Sequence, residues 1–222
     1  MITVHHLENS RSQRVLWLLE ELGLPYEVKR YARDPKTMLA PAELKAVHPL
    51  GKSPVITDEG RTIAESGAII EYLVAKTGGQ LAPAPDSPAG LDYRYFMHYA
   101  EGSLMPLMVM SLVFTRIPKS PMPFFARPIA RALCGKVRSS FLQPQIIDHL
   151  AMLEAHLGKQ TWFAGDDFSA ADIQMSFPLE AAATRAGGDR YPALTAFLSR
   201  IHDRPAYQRA LERGGPYRIL GG

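Results

Sequence analysis

The sequence predicts a small α/β unit with a mixed sheet, followed by an all-helical unit. Three observations carry this reading. Up to residue 76 the apolar spacing switches between two and 3.6 residues in the order β-α-β-α-β-β-α. Residues 77–88 then change character, with Gly78, Gly79, Pro83, Pro85 and Pro88 marking a boundary. Beyond them only helical periodicity recurs. The expected division is a first domain at 1–80 and a second at 88–222.

Taken in order, Ile2, Val4 and His6 alternate with Thr3, His5 and Leu7, which is strand spacing. Val15, Leu18, Leu19 and Leu22 follow at helical spacing, and Gly23 with Pro25 supplies the stop. Residues 26–31 read as a second strand, and Asp34-Pro35 opens a loop. A short helix over 41–47 ends at His48-Pro49. Gly51 to Asp58 is a strand entered through Pro54. Glu59-Gly60 is a tight turn and 61–63 its partner, so a hairpin is expected. Glu65-Ser66 leads into a helix with Ile69, Ile70 and Leu73 on one side. The segments 89–117, 128–157, 169–186, 191–203 and 205–213 all read as helices. Pro106 and Pro144 are expected to start or kink helices, because a proline ring blocks the bond to the preceding turn.

The bulk numbers exclude several function classes. With 222 residues the chain has length for a real core. A formal net charge of +3 and no long Lys/Arg run argue against a nucleic-acid partner. One cysteine, Cys134, rules out an internal disulfide and a four-cysteine metal site. The seven histidines show no metal-ligand spacing, so no metal is expected. No basic region followed by an apolar one opens the chain, and no stretch approaches the ~20 apolar residues of a membrane span. The expectation is a cytoplasmic protein with no membrane partner.

The stretch that organises the chain is the first strand-to-helix corner, Glu8-Asn9-Ser10-Arg11-Ser12-Gln13. Helix-start N–H groups lack intrahelical partners and sit at the positive end of the dipole, so such a corner favours an anion. Ser10 and Asn9 stand where that anion would sit. The chain supplies no cysteine there, so the expected anion is the thiolate of a bound small molecule. A free thiol titrates near ~8.5, and such a corner can bring it to ~7 or below. Ser10-x-x-Gln13 also has the form of an ordinary capping box.

Three further motifs bear on chemistry. Gly51-Lys52-Ser53 mimics the tail of a phosphate-binding loop. The required earlier glycine is Ala46, however, and a proline follows instead of a helix, so nucleotide binding is rejected. Glu65-Ser66 at a helix start is either a cap or a site for a ligand carboxylate, with Glu65 holding an ammonium group. Ser169-x-x-Asp172, flanked by Phe168 and Ile173, is a capping box with a structural role. The series Met105, Met108, Met110 and Phe114 packs a core or lines an adaptable apolar pocket.

Together these segments resemble the cytosolic glutathione transferase family. The resemblance rests on S-R-S-Q-R-V-L-W-L-L-E-E, H-P-L-G-K-S-P-V-I, I-A-E-S-G-A-I-I-E-Y-L, W-F-A-G-D-D-F-S-A-A-D-I and Y-P-A-L-T-A-F-L-S-R-I-H-D-R-P-A-Y-Q-R-A, in the family's order. It implies a thioredoxin-like N-terminal domain, a helical C-terminal domain and a homodimer, with the site at the domain cleft. It places Ser10 where serine-type members, similar to the theta and delta classes, hold the glutathione sulfur. Asn9 beside it is the alternative, since some bacterial and fungal relatives use asparagine or threonine there. It implies a cis bond at Ser53–Pro54 with the Ser53 backbone pairing the cysteinyl part. It also implies Lys52 at the glycyl end and Glu65 with Ser66 at the γ-glutamyl end, while Met105, Met108 and Phe114 line the electrophile pocket. The implied activity is conjugation of glutathione to small apolar electrophiles, with reduction of organic hydroperoxides beside it. A glutathione-dependent disulfide-bond oxidoreductase and a non-catalytic ligand-binding protein are the competing readings.

Overall fold

A computed structural model describes residues 1–35, 37–186 and 190–217. Four strands form one mixed sheet in the order β2-β1-β3-β4: β1 (Ile2–Leu7), β2 (Tyr26–Tyr31), β3 (Val55–Asp58) and β4 (Arg61–Ala64). β1 and β2 are parallel, with Ile2 opposite Tyr26, while β1–β3 and β3–β4 are antiparallel. The hairpin turn has Glu59 at φ +50° and Gly60 at φ +76°. Two left-handed residues give the twist that a two-residue loop between antiparallel strands needs. β1 does not show the one-sided burial its alternation suggests. It lies between two strands and under helices, so His5 and His6 are both buried.

Helix α1 (Ser12–Leu22) is buried almost throughout, from Ser12 to Leu19, because it lies between the sheet and the helical unit. The short α2 (Ala42–Val47) and α3 (Ser66–Lys76) complete this part. After the boundary come α4 (Pro88–Tyr99), α5 (Met105–Arg116), α6 (Ala126–Val137), α7 (Gln143–Leu157), α8 (Ala170–Ala186), α9 (Pro192–His202) and α10 (Pro205–Gly214). Trp17 of α1 packs edge-on to Tyr207 of α10 and beside Phe168, so one apolar core runs through both parts.

Pro106 and Pro144 each sit in the first turn of a helix that directly follows a single π turn, residues 100–104 and 138–142. The amide just before each proline bonds five residues back, Met105 to Ala100 and Gln143 to Arg138. The wider turn makes room for a ring that would otherwise clash with the carbonyl four residues before it. Both prolines therefore start a helix inside a continuous helical run. The run Pro88–Lys119 is long and apolar enough to cross a membrane, with a window of mean hydropathy 1.2, one third of it buried. That corrects the expectation that no stretch approaches such a length. Leu104, Met105, Leu107 and Met108 of this run belong to the shared core.

Candidate active site

The corner after β1 differs from the capping box its sequence suggests. Asn9 takes a left-handed conformation, φ +49°, and α1 begins only at Ser12, with Arg11 at its cap and no side-chain cap bond. The Gln13 side chain does not reach back. It is buried, and both its amide atoms lack a hydrogen-bond partner. Ser10, also buried, enters a different set of bonds. Its Oγ lies 2.8 Å from Ser12 Oγ and 3.4 Å from Ser53 Oγ, and it accepts the Ser12 amide at 3.3 Å. Ser12 Oγ in turn lies 2.9 Å from His6 Nδ1.

Burial first, and Arg30 second, push His6 down to about 4, so the ring is neutral at pH 7. Beyond Ser10, Ser12 Oγ has two partners, His6 Nδ1 at 2.9 Å and the Leu7 carbonyl at 3.4 Å, to which it donates. At the other end Ser53 donates to the His5 carbonyl at 3.0 Å and accepts the Leu7 amide at 3.3 Å. The Ser10 hydroxyl has Ser12 Oγ and Ser53 Oγ within hydrogen-bond distance, both inside the wall. Asn9, by contrast, is exposed, and its carbonyl accepts from Arg33 Nη2 at 3.3 Å.

The other candidate residues lie at and before the start of α3. The Ser53–Pro54 bond is cis. Lys52 is exposed beside it. Glu65 is exposed, with φ +71° and ψ 127°, a backbone state that costs on the order of 1–3 kcal/mol for a residue with a side chain. Such strain persists only where the surroundings impose it, and here it aligns Glu65 outward and Ser66 inward. Ser66 Oγ accepts from Arg14 Nη2 at 3.1 Å.

Arg14 is the residue that sequence reasoning left without a role. Its guanidinium also bonds Glu101 and the Gln174 carbonyl. Pro178, four residues further along α8, has no N–H to give that carbonyl, so Arg14 takes the place of the missing helix bond. Glu101 receives Arg11 Nε at 3.0 Å as well. Burial works to raise Glu101, but Arg14 and Arg11 outweigh it and hold its carboxyl below the usual range. One buried cation thus ties α1, the start of α3, the π turn after α4 and α8 together around the site. The signals were present in the sequence: a cation inside the apolar run of α1, and a proline inside a helix.

Met105 is buried in the core. Met108 and Phe114 line two adjoining cavities of about 400 and 390 Å³ that share Thr115 and Arg138. Among the described residues no group of three His, Cys, Asp or Glu side chains is placed to hold a metal ion.

The family model described as "Glutathione S-transferase, N-terminal domain" matches residues 10–76, and "Glutathione S-transferase, C-terminal domain" matches 142–205. The chain is 39% identical over 215 residues to glutathione S-transferase 3 of Schizosaccharomyces pombe, covering 96% of this chain and 88% of that protein. The chain belongs to the glutathione S-transferase family. Its fold matches a glutathione S-transferase from Actinobacillus pleuropneumoniae with a TM-score of 0.81 at 35% identity, covering 96% and 93% of the two chains. A family member from Pseudomonas fluorescens, solved with two glutathione molecules bound, matches with a TM-score of 0.74 at 28% identity, covering 95% and 92%. The thioredoxin-like sheet followed by helices is the family's arrangement.

Proposed function

We propose that this glutathione transferase binds glutathione along the line from Asn9 and Ser10 through Ser53 to Glu65 and Ser66, within a unit spanning 1–80. In this reading Asn9 gives its side-chain amide to the thiolate. Ser10 shapes the wall behind it. The carrying observation is the chain His6–Ser12–Ser10–Ser53, which gives the buried Ser10 hydroxyl two partners inside the protein while Asn9 is exposed. The Ser53 backbone pairs the cysteinyl unit and Lys52 takes the glycyl carboxylate. Glu65 takes the ammonium of the γ-glutamyl group. Its carboxylate meets Ser66 and the amides at the start of α3, an 11-residue helix with a full dipole.

The chemistry is thiolate stabilisation plus proximity. A donor at the sulfur and the positive corner lower the thiol pKa, and an electrophile held nearby reacts without first having to find its partner. The electrophile is a small apolar compound taken by the helical unit, 88–222, near Met105, Met108 and Phe114. We place the protein in the cytoplasm as a homodimer. A mass measurement that returns one chain would remove the dimer.

The test replaces the two corner residues separately. Asn9→Ala is expected to lower kcat/KM for chlorodinitrobenzene ~100-fold, the usual loss for one donor to a developing charge. Ser10→Ala is expected to cost about tenfold or less. The reverse order would assign the sulfur to Ser10.

A further inference from the structure

The cavities beside Met108 and Phe114 are lined by cations and by no carboxylate. Lys119, Arg131 and Arg138 border the one at Phe114, and Arg138 with Arg190 borders the adjoining one at Met108. Among the described residues Lys119, Arg131 and Arg138 form no ion pair. The sequence shows why. Between Glu101 and Asp148 there is no acidic residue, while Arg116, Lys119, Arg127, Arg131, Lys136 and Arg138 all fall there. Two other cavities of this protein differ. The one at Tyr207 carries Glu180, and the one at Phe168 carries Asp92, Asp166 and Asp167.

Helical periodicity separates this charge from the outer surface. At 3.6 residues per turn Arg131, Cys134 and Arg138 share one side of α6, while Phe125, Ile129 and Leu133 form an outward stripe on the opposite side. The cavity lies on the side of Cys134, the buried residue of this helix. A second copy of the chain packed on the stripe would leave the cavity side uncovered. The remaining lining is mostly apolar, with Met108, Leu142, Ile146 and Leu150 around the larger cavity. Thr115 borders both cavities, and Arg116, the next residue, ends α5. That helix end reaches the thiolate corner. Arg33, whose Nη2 bonds the Asn9 carbonyl at 3.3 Å, is lowered by burial first; Glu8 works to raise it and the charge of Arg116 to lower it.

We infer that the electrophile of this enzyme is an apolar molecule carrying one carboxylate, which Arg138 takes while Met108, Leu142 and Ile146 hold the apolar body. This rests on the reading of these cavities as the electrophile pocket, and it narrows the substrate class within that reading. A guanidinium meets a carboxylate through two parallel N–H bonds, and in a recess with apolar walls that attraction is screened less than in open water. An apolar lining with a few convergent charged groups is the make-up of a specific small-molecule site. A neutral electrophile would use the walls and leave the cations without a partner. The carboxylate takes no part in the bond change. The glutathione sulfur bonds the electrophilic carbon, and the leaving group departs with its electron pair.

The test uses the full chain with glutathione present and two matched pairs of compounds. Dinitrobenzoate and dinitrobenzamide, which do not react, are compared by calorimetry. Chlorodinitrobenzoate and chlorodinitrobenzamide, from both of which chloride is displaced, are compared by kcat/KM divided by the uncatalysed rate. The anion of each pair is expected to be favoured about tenfold, the effect of one charge-assisted hydrogen bond, and less at high salt. Arg138→Gln and Arg131→Gln should each remove most of that preference. Arg127→Gln, in the same acid-free stretch but outside both linings, should leave it unchanged. Equal affinity or equal turnover within the pairs would overturn the proposal, as would a loss in Arg127→Gln as large as in Arg138→Gln. Failure of the conjugation reading itself shows differently: neither electrophile is turned over, while the affinity difference and its loss in Arg138→Gln remain.

Discussion

Two serines in this protein stand in the same local pattern and do different things. Ser169 and Ser10 each precede a helix, and each has a polar residue three positions on. At Ser169 the capping box forms. Asp172 accepts the Ser169 amide at 2.8 Å and hydroxyl at 3.0 Å, and its other oxygen takes the Phe163 amide at 2.8 Å. At Ser10 no box forms, because left-handed Asn9 delays α1 to Ser12 and Gln13 turns into the core. The difference lies in what each helix start is bonded to. Asp172 closes the cap at Ser169, whereas the Ser10 hydroxyl takes only the first amide of α1, that of Ser12, and otherwise meets Ser12 Oγ and Ser53 Oγ in the wall.

The contrast can be broken most forcefully at Asp172. Asp172→Ala would leave two buried amides and a hydroxyl unpaired, and about 3–4 kcal/mol of stability should be lost in urea denaturation. A loss under 1 kcal/mol would mean that the Ser169 box does not hold the structure. Smaller in effect is His6. Its folded value near 4 lies below the ordinary 6.5, so the unfolded chain binds the proton more readily. Stability that His6 supplies is therefore complete above about 6.5 and is lost as pH falls toward 4. At pH 5 the loss is about 2 kcal/mol relative to pH 7. Asp172, pushed up to about 6 by burial, works in the opposite sense over the same range. The readable quantity is thus the difference between the wild type and His6→Asn, which keeps an acceptor for Ser12 and should remove this acid slope. Smallest of all, Ser10→Ala should cost about 1 kcal/mol of stability or less, since Ser12 and Ser53 keep their other partners.

Much of this was legible in the sequence. Short alternating runs between Gly and Pro punctuation gave the four strands and their hairpin, and 3.6-residue spacing gave the helices. The corner and the Glu65-Ser66 pair stood out as helix starts, and the cis bond at Pro54 came from the resemblance. Other features need elements far apart in the chain to meet. The Arg14 bond to the Gln174 carbonyl exists because Pro178 withholds an amide on α8, 164 residues away in sequence from Arg14. The His6–Ser12 contact depends on α1 starting one residue later than the capping pattern suggests. Likewise the outward apolar stripe of α6 has the periodicity of any amphipathic helix, and periodicity does not say which side faces the core.

The central claim is that the open corner stabilises a thiolate through Asn9, with Ser10 held in the wall behind it. The direct measurement is the ultraviolet thiolate band of bound glutathione, followed as a function of pH in the wild type, Asn9→Ala and Ser10→Ala proteins. The account predicts a bound-thiol pKa near ~7 in the wild type, a rise toward ~8.5 in Asn9→Ala, and little movement in Ser10→Ala. A wild-type value at ~8.5, or a rise confined to Ser10→Ala, would contradict it.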